Sequence, residues 1–209
     1  MKKIAYKFAA AILSLTLIAA IALGILANAL TAITESSRQV MNTEVGRIGL
    51  LHGIYGDYLG MYMKLYSHVN VNLVRTMDKM ADEFMVQREE VWADMEEYEA
   101  GISSSEVQGA FDILEAGLKE FDGYADKVID YSRKGNKDMA NTIISSNISK
   151  LNSSIAENIE LLLNYSAQDL EAGKALLAEK EEQSYMIIKA AIALLLAAAV
   201  LVMIISIRV

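Results

Sequence analysis

Apolar residues recur every three or four positions through the last third of the chain, at Ile144, Ile148, Leu151, Ile155, Ile159 and Leu162. That spacing lines one face of an amphipathic helix. From Tyr185 to Ile207 the polar face disappears, and Lys189 is the only charge before Arg208. A run of that length can cross about 30 Å of hydrocarbon. The pattern predicts one helix that leaves water and enters a membrane without a break. A second uncharged run, Phe8 to Ile33, lies near the start. Its Ala27-Asn28-Ala29 would suit signal cleavage, but a signal's apolar region is about 7–15 residues. The run is therefore read as an uncleaved anchor.

Between the two runs the pattern predicts four helices. The first, Thr31 to about Val69, carries a glycine seam at Gly46, Gly49, Gly53, Gly56 and Gly60. Each helical glycine costs about 1 kcal/mol relative to alanine. Close backbone approach to another helix would offset that cost, either inside one bundle or between two protomers. A neighbouring stripe of Val45, Ile48, His52, Tyr55, Leu59, Tyr62 and Tyr66 is expected to face the core. A poorly marked turn follows, placed at residues 68–74.

The second helix runs to Ala100 with Met77, Ala81, Phe84, Val91, Met95 and Tyr98 on one stripe. Arg88 falls on that stripe and is expected to lean out to a nearby glutamate. Gly101 then ends the helix, and Ser103-Ser104-Ser105-Glu106 reads as a capping box. The third helix places Val107, Phe111, Leu114, Leu118, Phe121, Ala125 and Val128 at heptad positions. Gly135-Asn136 stops it and caps the fourth. Short turns make sequential helices antiparallel, so the expected fold is all-α, an up-down-up-down four-helix bundle flanked by two transmembrane helices. The turn at 68–74 would then lie far from the membrane and Gly101 near it.

Composition sharpens this picture. There is no proline among 209 residues, which suits long uninterrupted helices. With no cysteine, and with His52 and His68 as the only histidines, neither a disulfide framework nor a metal or cofactor site is expected. All 27 acidic residues lie between Glu35 and Glu182 with 14 Lys and Arg, a net −13 for that segment. The other cations are Lys2, Lys3, Lys7, Lys189 and Arg208. By the positive-inside rule both termini are cytoplasmic. The expected layout is residues 1–7 cytoplasmic, 8–30 the first transmembrane helix, 31–184 an extracytoplasmic ligand-binding bundle, 185–207 the second transmembrane helix, and 208–209 the start of a cytoplasmic part. An acidic outer domain gives no electrostatic reason to bind nucleic acid. No phosphate-cradling glycine loop and no Ser/His/Asp set is present, so no catalytic residue, and no enzyme, is expected.

A candidate ligand site follows from height along the helices. Tyr55, Tyr58, Tyr62 and Tyr66 of the first helix lie level with a stretch of the fourth rich in Ser and Asn, including Asn141, Ser145 and Asn152. Ser and Asn are mediocre helix formers, so their density invites a functional explanation. Amides and hydroxyls against aromatic walls would orient a small polar ligand. Arg75 and Arg133, near the far turn, would pair with a carboxylate. The alternative is that the tyrosines are core and the polar face is simply wet.

The opening Gly135-Asn136-Lys137-Asp138-Met139-Ala140 and the later Leu161-Leu162-Leu163-Asn164-Tyr165-Ser166-Ala167 are similar to segments of the fourth sensory helix of methyl-accepting chemotaxis receptors. With an anchor, four outer helices and a second span, nearly the whole chain resembles the sensory half of such a receptor. The resemblance implies a homodimer in a bacterial inner membrane. It implies that ligand displaces the fourth helix and its span, relayed to a cytoplasmic linker and coiled coil. Helix 1 has only Arg38 and Arg47, so the family's arginine pattern for amino-acid ligands does not transfer. The sequence stops at Ile207-Arg208-Val209, where that linker would begin. An input module of a histidine kinase or cyclic-dinucleotide enzyme, or a stand-alone membrane scaffold, are the alternatives.

Overall fold

The computed structural model describes residues 2–207. Its helices are α1 (Lys2–Val40), α2 (Gly46–Asn70), α3 (Val74–Ala100), α4 (Ser105–Arg133), α5 (Lys137–Ile143) and α6 (Ser149–Ile207). Wider π-helical turns, Met41–Val45 and Ile144–Ile148, join α1 to α2 and α5 to α6. No strand occurs among the described residues. Two compact units form: Asn42–Leu170, and the helical stretches that precede and follow it.

The first unit is the four-helix bundle, built from α2, α3, α4 and the run from α5 into α6. Every apolar position predicted for α3 and α4 is buried, from Met77 to Tyr98 and from Val107 to Val128. The fourth rod adds Ala140, Ile144, Ile148, Ile155, Ile159 and Leu162. On α2 the core face differs from the expectation. Leu51, Ile54, Tyr58, Met61 and Leu65 are buried, flanked by Arg47 and His68 on the same stripe. Val45, His52, Leu59 and Tyr66 are exposed, while Ile48, Tyr55 and Tyr62 lie half-buried at the edge. The helix is apolar around most of its circumference, so periodicity alone offered two stripes of similar strength.

The glycine seam is divided. A Cβ at Gly53 would lie 2.9 Å from Asp94 Oδ2, and one at Gly60 would lie 2.6 Å from Gln87 Nε2, so both glycines admit side chains of α3. Gly46, Gly49 and Gly56 meet nothing within 4 Å.

Local signals explain the ends. Gly135 takes φ +77°, the left-handed conformation that favours glycine. Asn136 N–H then reaches Tyr131 O at 2.8 Å and Gly135 N–H reaches Ser132 O at 3.0 Å, the paired bonds of a Schellman end. Asn136 caps α5 through its side chain, accepting from Met139 N–H. The predicted capping box is replaced by a simpler cap. Ser104, not Ser103, is the cap residue and accepts from Glu106 N–H, so Glu106 sits one position too early to reach back. Arg88 pairs across to Asp126 of α4 at 3.0 Å rather than with a glutamate.

In the second unit, Ala22 and Ala29 of α1 and Ser184 and Ala191 of α6 are buried, seven residues apart on each helix. Val40 packs at Gly173, where a Cβ would lie 3.1 Å from it. Lys180 Nζ donates to Ser36 Oγ at 2.9 Å. Large apolar side chains such as Leu13, Leu17, Leu194 and Leu201 point outward. Small residues inside and leucines outside is the arrangement of helices that pack in lipid. Two helical runs, Ile12–Asn70 and Lys137–Ile204, each contain a segment long and apolar enough to cross a membrane.

Candidate functional site

Polar side chains enter the bundle core at three levels. Midway, the Tyr58 hydroxyl donates to Asn152 Oδ1, joining α2 to α6. Phe121 of α4 meets the Tyr58 ring edge-on at 4.9 Å between centroids. Burial pushes the Tyr58 phenol well above its ordinary range, with Tyr62 and Tyr55 adding to the shift. The phenol stays protonated and donates to the Asn152 amide oxygen.

At one end Arg47 of α2 is buried against three elements. Its Nη1 lies 3.7 Å from Glu44 Oε2 and 3.6 Å from Asp169 Oδ2 of α6. Its guanidinium sits 5.1 Å from the Tyr98 ring centroid of α3, a cation–π distance. The Tyr98 hydroxyl in turn lies 3.4 Å from Ser166 Oγ. At the other end His68 Nδ1 lies 3.0 Å from Ser132 Oγ of α4.

A different set ties α3 to α4. Trp92 Nε1 donates to Asp122 Oδ2 at 2.8 Å, and Arg88 pairs with Asp126. Burial raises the Asp122 carboxyl, opposed by the Trp92 hydrogen bond and Arg88. So α3 and α4 hold each other at their outer groove, while α6 is held to its neighbours at Asn152, Ser166 and Asp169. Asn152 and Asp169 lie about 25 Å apart along the helix at 1.5 Å per residue. Hydrogen bonds depend steeply on distance and angle, whereas apolar contacts slide cheaply. The contacts at Asn152 and Ser166 are of the first kind, and that at Asp169 is an ion pair at 3.6 Å.

Of the predicted ligand residues, the structure brings Tyr58 and Asn152 together, with Tyr55 and Tyr62 half-buried alongside. Tyr66, Arg75, Asn141 and Ser145 are exposed, and Arg133 is engaged by Asp78 at 3.0 Å. Part of the Ser/Asn density is explained by the helix itself. Thr142 Oγ1 donates to Asp138 O at 2.8 Å and Ser145 Oγ to Thr142 O at 3.3 Å, beside the π turn. Side-chain bonds of this kind compete with the backbone ladder and loosen it. Arg47, His68, Ser132, Ser166 and Asp169 were not singled out from the sequence. The available signal was that Arg47 and His68 continue the 4-3 spacing of Leu51 to Leu65.

Comparison with known families agrees with this architecture. The profile described as the four helix bundle sensory module for signal transduction matches residues 1–175. The chain belongs to that family. No curated protein matches it.

Proposed function

We propose that the chain is the sensory and transmembrane part of a bacterial chemoreceptor, in which a small polar ligand biases the axial position of α6. The observation that carries this is the continuity of α6. One helix supplies Ile155, Ile159 and Leu162 to the bundle core and then runs on to Ile207 through the apolar segment. A shift imposed at Asn152 or Asp169 would then be passed along one continuous helix. The ligand would sit where Tyr55 and Tyr62 border the polar face of α5 and α6. On this proposal the protein is a two-pass protein of the inner membrane, with both termini cytoplasmic and residues 31–184 outside.

Cysteines placed singly at Asn70, Asn136 and Lys3 test the topology. An impermeant thiol reagent on intact cells is expected to label the first two and not the third. Labelling at Lys3 would overturn the proposal. Calorimetry of the protein against amino acids and small organic acids then tests the site. A binder whose affinity is unchanged by both Tyr62→Ala and Asn141→Ala binds elsewhere.

The open glycines supply the case for a homodimer. Gly49, Gly56 and Met63 alternate with His52, Leu59 and Tyr66 at 3-4 spacing on the exposed side of α2. Two such faces would pack closely where they lack side chains. In a chain carrying a single introduced cysteine at His52, on the same exposed face, Gly56→Leu is expected to abolish crosslinking between protomers without lowering the melting temperature of the bundle. Gly53→Leu, which must displace Asp94, is expected to cost about 1–3 kcal/mol of bundle stability. Identical behaviour of the two variants would remove the distinction between an inner and an outer half of the seam.

A further inference from the structure

His68 and Ser132 close the end of the bundle where the 71–73 and 134–136 turns meet. His68 is 1% exposed. It lies in the last turn of α2, where helix carbonyls lack an intrahelical partner. Ser132 Oγ donates to the His68 carbonyl at 3.2 Å. A hydroxyl has one proton to give, so its contact with the ring requires that Nδ1–H donate to Ser132 Oγ. The neutral ring then carries its lone pair on Nε2, and that atom is buried with no hydrogen-bond partner.

The charged groups around the ring come from three other elements: Arg133 of α4, Lys137 of α5 and Asp78 of α3. The one carboxylate among them is already engaged, by Arg133 at 3.0 Å. Lys137 Nζ is committed to Val71 O at 2.8 Å and Asn72 Oδ1 at 2.6 Å, pinning the 71–73 turn to α5. A proton arriving at Nε2 would therefore create an enclosed cation that faces two others and has no acceptor of its own.

We propose that His68 is a proton-responsive latch: protonation at Nε2 in mildly acid medium releases the 71–73 and 134–136 turns from each other. Burial lowers the His68 pKa, with Arg133 and Lys137 lowering it further and Asp78 opposing. In the opened state the ring returns to its ordinary value near 6.5. The closed state is therefore fully stabilised above about pH 6.5. That stabilisation is lost progressively as pH falls from there through the depressed value. The chemistry is independent of topology; its meaning as a response to external acid rests on the orientation proposed above, which cysteine labelling tests separately.

The test uses the full chain in lipid nanodiscs with His52→Gln, which leaves His68 as the only imidazole. A titration of the ring by nitrogen NMR is expected to show the Nδ1–H tautomer and a midpoint below 6.5. Amide hydrogen exchange, corrected for the intrinsic rate, is expected to accelerate in residues 65–76 and 129–142 by up to about tenfold per pH unit below the ordinary histidine value. Residues 107–118 should not follow. His68→Gln and His68→Asn should each remove the pH dependence at the turns. A ring that titrates at its ordinary value, an Nε2–H tautomer, or the same acid-induced opening in a folded His68 variant would overturn the proposal. The ring titration needs no variant at His68, so it decides even if both substitutions fail to fold.

Discussion

Phe121→Ala is expected to cost the bundle about 3–5 kcal/mol, the range for deleting a fully buried aromatic ring. Phe121 is 0% exposed and stands where three helices converge. Its ring meets Tyr58 of α2 edge-on at 4.9 Å and lies 6.3 Å from Phe84 of α3. Alanine removes the contacts on both sides and leaves a cavity between them. Part of the loss should appear at a distance from α4, because the Tyr58 ring would be free to turn and its bond to Asn152 would weaken. Thermal melting of the detergent-solubilised chain, followed by near-ultraviolet circular dichroism, measures the total. Phe121→Leu, which keeps most of the volume, should lose less than half as much. A Phe121→Ala loss below about 1 kcal/mol would mean that the three helices do not share one core at this level.

The same level shows what could be read from the sequence. On α3 and α4 charged residues occupy most of the outer circumference, so only one apolar stripe exists and its assignment is unambiguous. Both stripes proved buried at every predicted position. On α2 a second stripe of tyrosines and leucines competes, and the true core stripe includes Arg47 and His68, residues that a hydrophobic pattern discounts. The tie is broken by packing: Gly53 and Gly60 turn toward Asp94 and Gln87 of α3, which fixes the rotation of the helix. The Gly135-Asn136 stop was legible because a left-handed residue followed by a side-chain cap has a narrow chemical signature. The π turns had no such mark. Neither proline nor glycine lies within Met41–Val45 or Ile144–Ile148, and an inserted residue in a helix leaves the apolar spacing nearly intact.

The candidate site was legible in part for a similar reason. Height along antiparallel helices follows from residue counts alone, and it placed Tyr55 to Tyr66 level with Asn141 to Ser154, the stretches within which Tyr58 and Asn152 meet. Facing does not follow from height. Asn141 and Ser145 share that level but point to solvent, and Tyr66 lies on the outer side of α2. Arg133 offered a free cation in the sequence, yet Asp78, 55 residues away, takes it up. Partners so distant along the chain can be found only once the turns have brought their helices together.

Arg47→Met is expected to cost about 2–4 kcal/mol, because it removes one partner of a mostly buried ion pair and leaves the other behind. The Arg47 side chain is 9% exposed and that of Glu44 18%, and Glu44 Oε2 is fully enclosed. Methionine fills much of the space over the Tyr98 ring but supplies no charge. Glu44 would then hold an enclosed carboxylate with no cation beside it. Asp169 is affected less, since its side chain is 51% exposed and water screens it. The two carboxylates therefore predict different rescues. Adding Glu44→Gln to Arg47→Met should recover at least half of the lost stability, whereas adding Asp169→Asn should recover little. Arg47→Lys should fall between methionine and the native residue, because a lysine keeps the charge but not the flat guanidinium over Tyr98. The local consequence should appear on α6. With the Asp169 contact gone and the Tyr98 ring released, Ser166 loses its neighbour, and amide exchange over residues 162–170 should accelerate by about tenfold or more for each 1.4 kcal/mol of local stability lost. Residues 114–121 of α4 should exchange at the native rate. If Arg47→Met melts like the native chain, or if Glu44→Gln deepens the loss, then Arg47 is held by packing alone and does not fix the position of α6.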